Sequence, residues 1–243
     1  MTPQETSNCQ PPCVGVIGSG DWLDVPVYYQ DASVTIYHGD SFEIIPKLGR
    51  FDLMLTDPPY GLKMSGGTWG KKMDATYKAW DAETKDLTPL LTKARDQVIW
   101  GGNYFTLKPS RGWLIWKKPH LPTLSDAELA WTNADRNIRV FESTRNDGET
   151  KEHPTQKPLD LMTWCLSFYP DAQTILDPFA GSGTTGRAAK DLGKKCVLIE
   201  REESYCEIAA RRLSQEVLAL GTSNDKLCRA AGGNGGAQKG QTK

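Results

Sequence analysis

The stretch from Thr174 to Glu200 restricts the fold most tightly. Thr174-Ile175-Leu176 is a short apolar run, followed at once by Asp177-Pro178-Phe179-Ala180-Gly181-Ser182-Gly183-Thr184-Thr185-Gly186. This reads as a strand, a glycine-rich turn and the start of a helix over Thr184–Leu192. A second apolar run, Cys196–Ile199, ends on Glu200, 19 residues after Gly181. Gly181, Gly183 and Gly186 fit the spacing G-x-G-x-x-G, in which glycines let the backbone approach a ligand. Glu200 stands where a ribose-binding acid belongs, because a strand-end carboxylate can take both ribose hydroxyls. The ligand is thereby a dinucleotide or another adenosine cofactor.

The rest of the chain extends this unit. β-rich runs recur at Val34–Tyr37, Phe51–Thr56, Gln97–Trp100, Trp113–Trp116 and Ile138–Phe141, making about seven strands with the two above. Several are continuous apolar runs, as strands buried on both faces are. Helical stretches at Pro89–Arg95, Leu159–Tyr169, Thr184–Leu192 and Ser204–Leu220 separate or follow them. Such alternation predicts an α/β fold, Rossmann-like, with a mostly parallel seven-stranded sheet and helices on both faces. Functional residues then belong at the carboxyl ends of strands. At 243 residues one domain suffices, and it is expected over 13–220. Residues 1–12 and the glycine-rich 221–243 read as flexible ends.

A second chemical segment follows Phe51–Thr56: Asp57-Pro58-Pro59-Tyr60. Two prolines cannot donate to a ladder, so the strand stops there. A carboxylate and rigid carbonyls at a strand end form fixed hydrogen-bond acceptors, and the adjacent ring of Tyr60 offers a stacking surface for a nucleobase. Aimed at an exocyclic amino group, such acceptors hold its hydrogens while its nitrogen attacks an electrophile.

Together, Asp57–Tyr60 and Asp177–Thr185 strongly resemble the motifs of the DNA amino-methyltransferases, which make N6-methyladenine or N4-methylcytosine. The catalytic segment precedes the cofactor loop, as in their circularly permuted β group. His153-Pro154-Thr155-Gln156-Lys157-Pro158 is a third match, and the resemblance spans about residues 28 to 215. It implies S-adenosyl-L-methionine as cofactor and an unstacked base of double-stranded DNA as substrate. By resemblance, Asp57 and the Pro58 carbonyl bind the target amino group, Pro59 stiffens the turn and Tyr60 stacks on the base. Phe179, Gly181, Ser182 and Gly183 cradle the cofactor, Asp177 lies near its amino group, and Glu200 takes the ribose. Asp40 resembles the adenine-contacting acid, and Thr155 and Lys157 approach the methionine end. The initial Asp57 favours adenine N6 over cytosine N4, since N4 members more often begin this motif with Ser.

Two readings from other classes compete. A nicotinamide-dependent oxidoreductase fits the glycine spacing but has no use for the Asp57 segment. A catalytically silent nucleic-acid-binding module would be expected to lose one motif, and both are intact.

Charge locates the DNA. The 29 basic and 30 acidic residues leave a net charge of −1, which excludes bulk electrostatic binding. The balance is a cancellation: residues 1–60 carry 2 basic and 8 acidic groups, residues 61–118 carry 11 and 5. The positive block begins directly after Tyr60. Within 61–81, Lys63, Lys71 and Lys72 stand among Gly66, Gly67, Gly70, Trp69, Tyr77 and Trp80, a composition suited to a phosphate-gripping loop. Ser125–Trp131 resembles a segment of phage-like members and reads as a surface helix without a chemical role. Larger relatives carry a long recognition region before the His153 motif, whereas only Ser143 to Glu152 fill that place here. Recognition is then small, shared with 61–81, or supplied by a second subunit in a homodimer. No nuclease-like segment is present, which suits a stand-alone enzyme of phage or prophage type. The three histidines show no ligand spacing, so no metal is expected. The six scattered cysteines read as free thiols, and no apolar run reaches membrane-span length, so a cytoplasmic protein is expected.

Overall fold

A computed structural model describes residues 25–61, 85–118, 125–142 and 156–215. The expectations for 1–12, for Lys63, Lys71 and Lys72, for 143–152, for Thr155 and for 221–243 fall outside those residues. Among the described residues nine strands form one sheet: β1 Val27–Gln30, β2 Val34–His38, β3 Phe51–Thr56, β4 Ala94–Trp100, β5 Trp113–Lys117, β6 Ala127–Thr132, β7 Arg139–Glu142, β8 Thr174–Asp177 and β9 Lys195–Glu200. Their order is β1-β2-β9-β8-β3-β4-β6-β5-β7. The helices are α1 Ser41–Ile44, α2 Thr88–Leu91, α3 Leu159–Ser167, α4 Thr184–Asp191 and α5 Glu203–Ser214.

The sheet is mostly parallel, as expected. Strands β2, β9, β8, β3 and β4 run parallel to one another, and so do β5 and β7. Antiparallel pairing occurs at β1–β2, β4–β6 and β5–β6. Side chains alternate between faces along each strand. Leu53 and Leu55 point to one face, with Leu161, Leu166, Ala188, Ala189, Ala209 and Leu213 of α3, α4 and α5. Met54 points to the other, with Ile44 of α1 and Leu90 of α2. Both faces are therefore covered, as a parallel sheet requires.

All seven expected strands are present, and two more join them. β1 is a four-residue edge strand too short to show a period. β6 corrects the expectation of a surface helix at Ser125–Trp131: it lies between β4 and β5, with Ala130, Trp131 and Thr132 buried. Ala127, Glu128, Leu129 and Ala130 are good helix formers, but propensity is a weak prior that pairing on both edges overrides. The helix expected over Pro89–Arg95 is only the single turn α2, because the chain is already in β4 from Ala94.

The topology positions the site. β3 and β8 are adjacent and parallel, with Met54 opposite Leu176, so Asp57 and Asp177 leave the sheet side by side. β2 and β9 are likewise parallel, with His38 opposite Glu200, which brings Asp40 to the same edge.

Candidate active site

β3 ends at Thr56 because Pro58 and Pro59 have no N–H to offer. The chain then turns so that the Tyr60 hydroxyl donates to Asp57 Oδ1 at 2.5 Å. Two aromatic rings from the turn after β4 flank Tyr60. Tyr104 stacks on it at 5.0 Å with an interplanar angle of 19°, and Phe105 meets it edge-on at 6.4 Å. Burial first, then the Asp57 charge, push the Tyr60 pKa well above its usual value, so the phenol stays protonated and remains a donor.

The other oxygen of Asp57 takes Lys157. The lysine is only 7% exposed; its ammonium donates to Asp57 Oδ2 and lies 3.1 Å from Glu128 Oε2. Glu128 Oε1 accepts from Lys118. Four charges of alternating sign thus form a chain: Lys118, Glu128, Lys157, Asp57. Burial lowers the Lys157 pKa, but Asp57 and Glu128 outweigh it and hold that pKa above the usual lysine range. Burial raises the Asp57 pKa, Lys157 opposes that rise and the Glu128 charge adds to it. Glu128 is itself held low: burial raises its pKa, but Lys157 and Lys118 outweigh that.

The glycine turn after β8 is built around two carboxylates. Asp177 is 2% exposed and accepts from the Thr56 hydroxyl at 2.7 Å and the Phe179 N–H at 3.1 Å. Burial nevertheless dominates and pushes its pKa up to about 6. Gly181 and Gly183 adopt φ of 51° and 78°, a region L-residues rarely enter. A Cβ on Gly183 would also come 2.9 Å from Ala209 Cβ in α5. Glu200, at the end of β9, accepts the Gly181 N–H at 2.7 Å on one oxygen and the Glu202 N–H at 2.9 Å on the other. Ser182 donates to the Gln156 side chain at 3.2 Å, and Arg212 donates to the Ser182 carbonyl at 2.8 Å, tying the turn to α5. Asp40 caps α1 through the Phe42 N–H at 2.8 Å and pairs with Lys85 at 3.2 Å. The Ser41 hydroxyl donates to the Pro178 carbonyl and joins that helix to the turn.

Two cavities open on this edge of the sheet and share Phe179. One is lined by Asp40, Pro59, Lys85, Phe179 and Glu200. The other is lined by Asp57, Lys157, Asp177, Phe179, Gly181 and Ser182. Their chemistry fits an adenosine-bearing amino acid. Glu200 presents a buried strand-end carboxylate suited to a diol, Phe179 offers an aromatic face between the cavities, and Asp177 offers a buried carboxylate to an ammonium group. Every described residue that the motifs singled out lies on one of these cavities or on the turns that form them. Lys157 was expected at the methionine end. It lines that cavity, yet its ammonium is engaged by Asp57 and Glu128.

Sequence reasoning missed Glu128, Lys118 as its partner, and Tyr104. The sequence signal for Glu128 lay in recognising β6 as a strand, because only then does it face Trp116 and approach Lys157.

Residues 110–211 match the N6/N4 family model described as DNA methylase. The Type II methyltransferase M2.LlaDCHI of Lactococcus lactis subsp. cremoris is 28% identical over 255 residues, covering 81% of this chain and 95% of the relative. Among solved structures, the M1.HpyAVI–SAM complex aligns with a TM-score of 0.50 at 26% identity, over 75% of this chain and all of that one. The cytosine-N4-specific PvuII DNA methyltransferase shares the fold, with a TM-score of 0.56 at 16% identity over 81% of this chain and 92% of its own. The family match runs from β5 through the glycine turn to α5, the similarity to the Lactococcus relative extends over the catalytic segment as well, and the chain is thus similar to N6/N4 DNA methylases on both sides of the site.

Proposed function

We propose that this protein is an S-adenosyl-L-methionine-dependent DNA methyltransferase acting on the exocyclic amino group of a base turned out of the duplex, with adenine N6 as the target. One observation carries this reading: Asp57, at the end of β3, lines the same cavity as Asp177, Phe179 and Gly181 from the turn after β8. Acceptors for an amine therefore face the place where the cofactor fits.

In this reading Glu200 holds the ribose hydroxyls, Phe179 packs against the adenosine portion, Asp40 borders the adenine end and Asp177 pairs with the amino-acid ammonium. Gly181 and Gly183 keep the turn free of side chains, and Ser182 braces it. When bound, the cofactor supplies a methyl group activated by a sulfonium. The protein prepares the nucleophile. An exocyclic amine is a weak nucleophile because its lone pair is delocalised into the ring. Asp57 and the Pro58 carbonyl accept its two hydrogens, which favours a pyramidal nitrogen with an available lone pair. Pro59 fixes the turn and Tyr60 stacks on the base, so the rate gain comes from position and electrostatics. Extruding the base costs a few kcal/mol. Lys63, Lys71 and Lys72 are assigned to grip phosphates, with Thr155 at the methionine end. Sequence readout then falls to the short 143–152 segment, is shared with 61–81, or comes from a second copy of the chain.

The test is to incubate the purified protein with labelled S-adenosyl-L-methionine and mixed-sequence duplex DNA, then separate the nucleosides. N6-methyladenine is the expected product. Asp57→Ala is expected to lower its formation by at least ~1,000-fold while cofactor affinity stays within about threefold. Label in N4-methylcytosine alone would overturn the choice of base. Wild-type activity in Asp57→Ala would overturn the catalytic assignment.

A further inference from the structure

Nothing in the proposed chemistry uses Glu128, yet among the described residues it is the one carboxylate besides Asp57 that engages the buried Lys157. It comes from β6, whereas Asp57 follows β3 and Lys157 precedes α3. Its second oxygen is taken by Lys118, at the end of β5. Three elements of the sheet and a loop therefore converge on the catalytic carboxylate through a single chain of charges. The side chains are well covered, with Lys118 12% and Glu128 22% exposed. A shielded chain of this kind transmits a charge change along its length, because little water intervenes to screen it.

We propose that Glu128 is a positioning residue for methyl transfer: standing behind Lys157, it divides the ammonium between two carboxylates and so keeps Asp57 a strong acceptor for the target amine. The inference rests on the methyltransferase reading above. If Lys157 faced Asp57 alone, the pair would be closed and mutually neutralised, and a neutralised carboxylate is a poorer acceptor. Glu128 draws on the same ammonium and leaves part of the Asp57 charge uncompensated. Lys118 works in the opposite sense, since it partly satisfies Glu128 and weakens its claim on Lys157.

The groups facing Asp57 are Tyr60 from its own turn, Lys157 ahead of α3, Glu128 from β6 and, at longer range, Asp177 from β8. The signs follow from these. Glu128→Gln removes a negative charge near Asp57, so the Asp57 pKa falls. Lys118→Met removes a positive charge from the far end, so the Asp57 pKa rises.

The experiment is single-turnover methylation at saturating cofactor and DNA across pH 5 to 9, in the wild type, Glu128→Gln and Lys118→Met. Saturating cofactor keeps the Asp177 titration out of the profile. Glu128→Gln is expected to lower the plateau rate about tenfold and to move the acid limb down by about one pH unit, with cofactor affinity unchanged. Lys118→Met is expected to move the acid limb up. Glu128→Asp keeps the charge and is expected to leave the limb within a few tenths of a unit of the wild type. A purely structural Glu128 would lower rates or melting temperatures without moving the limbs in opposite directions. Unmoved limbs, or limbs moved the same way, overturn the proposal. If Glu128→Gln does not fold, the direction of the Lys118→Met shift decides alone. A wild type that methylates no DNA would overturn the methyltransferase reading instead, and the two failures are thereby distinct.

Discussion

Gly101 shows how closely single residues govern the catalytic ring. It sits at φ +65° where β4 turns away from the sheet, and a Cβ there would fall 2.0 Å from Cε1 of Tyr60 and 2.5 Å from Cδ1 and Cζ. Those are atoms of a ring with little room to give, since Tyr104 stacks on it and Asp57 holds its hydroxyl. Gly101→Ala must therefore push Tyr60 aside or abandon the left-handed turn, at a cost of about 1–3 kcal/mol. DNA methylation is expected to fall more than about tenfold while cofactor affinity changes less than about twofold, because Gly101 lies off both cavities. Side-by-side assays of turnover and cofactor binding check this, and unaltered turnover would mean that the ring's place is immaterial. Asp57 and Tyr60 were legible in the sequence because two prolines fix their geometry locally. Gly101 was not, because the collision that excludes a side chain joins residues distant along the chain.

At the scale of elements, α4 is fitted to β9 through Gly186. Intrinsic propensity says that alanine should improve a helix interior, by roughly 0.5–1 kcal/mol over glycine. Here a Cβ would lie 2.7 Å from Leu198 Cδ1 and 3.3 Å from Cγ, and Leu198 is fully buried in the core. Overpacking of that kind costs about 1–3 kcal/mol and is the larger effect. Gly186→Ala is thus expected to destabilise the protein by about 1–2 kcal/mol, read as a lower urea midpoint with an unchanged slope. A raised midpoint would show that α4 shifts away at little cost. The same unit explains what could be read in advance. From β8 to α5 the elements follow one another and carry their own punctuation, so the glycine turn and Glu200 stood out. β6 did not, because Ala127 to Ala130 carries a helical composition and only its neighbours β4 and β5 make it a strand. Glu128 was lost with it, since a charge pair across three elements leaves no period in the sequence.

For the whole molecule, the parallel core of the sheet gathers Asp40, Asp57, Asp177 and Glu200 at one edge, and this has a consequence for stability. Asp177 keeps its proton up to about pH 6, against an ordinary value of 3.8, chiefly because of burial. Between those values the folded chain binds more protons than the unfolded one, so this group's contribution to stability is greatest below the lower value and is lost as pH rises through the upper one. The loss is of order 3 kcal/mol by pH 7 in the cofactor-free protein. A cofactor ammonium beside Asp177 reverses the balance, because it favours the ionised carboxylate. Binding should therefore stabilise the protein more at pH 7 than at pH 5. Thermal melts with and without S-adenosyl-L-methionine at fixed concentration, taken across that range, are expected to show a gain in Tm that grows with pH. In Asp177→Asn the gain should be smaller and flat over the same range, while the cofactor-free variant should melt at or above the wild type at pH 7. A pH-independent gain in the wild type would remove Asp177 from the ammonium site and leave its burial without a ligand to serve.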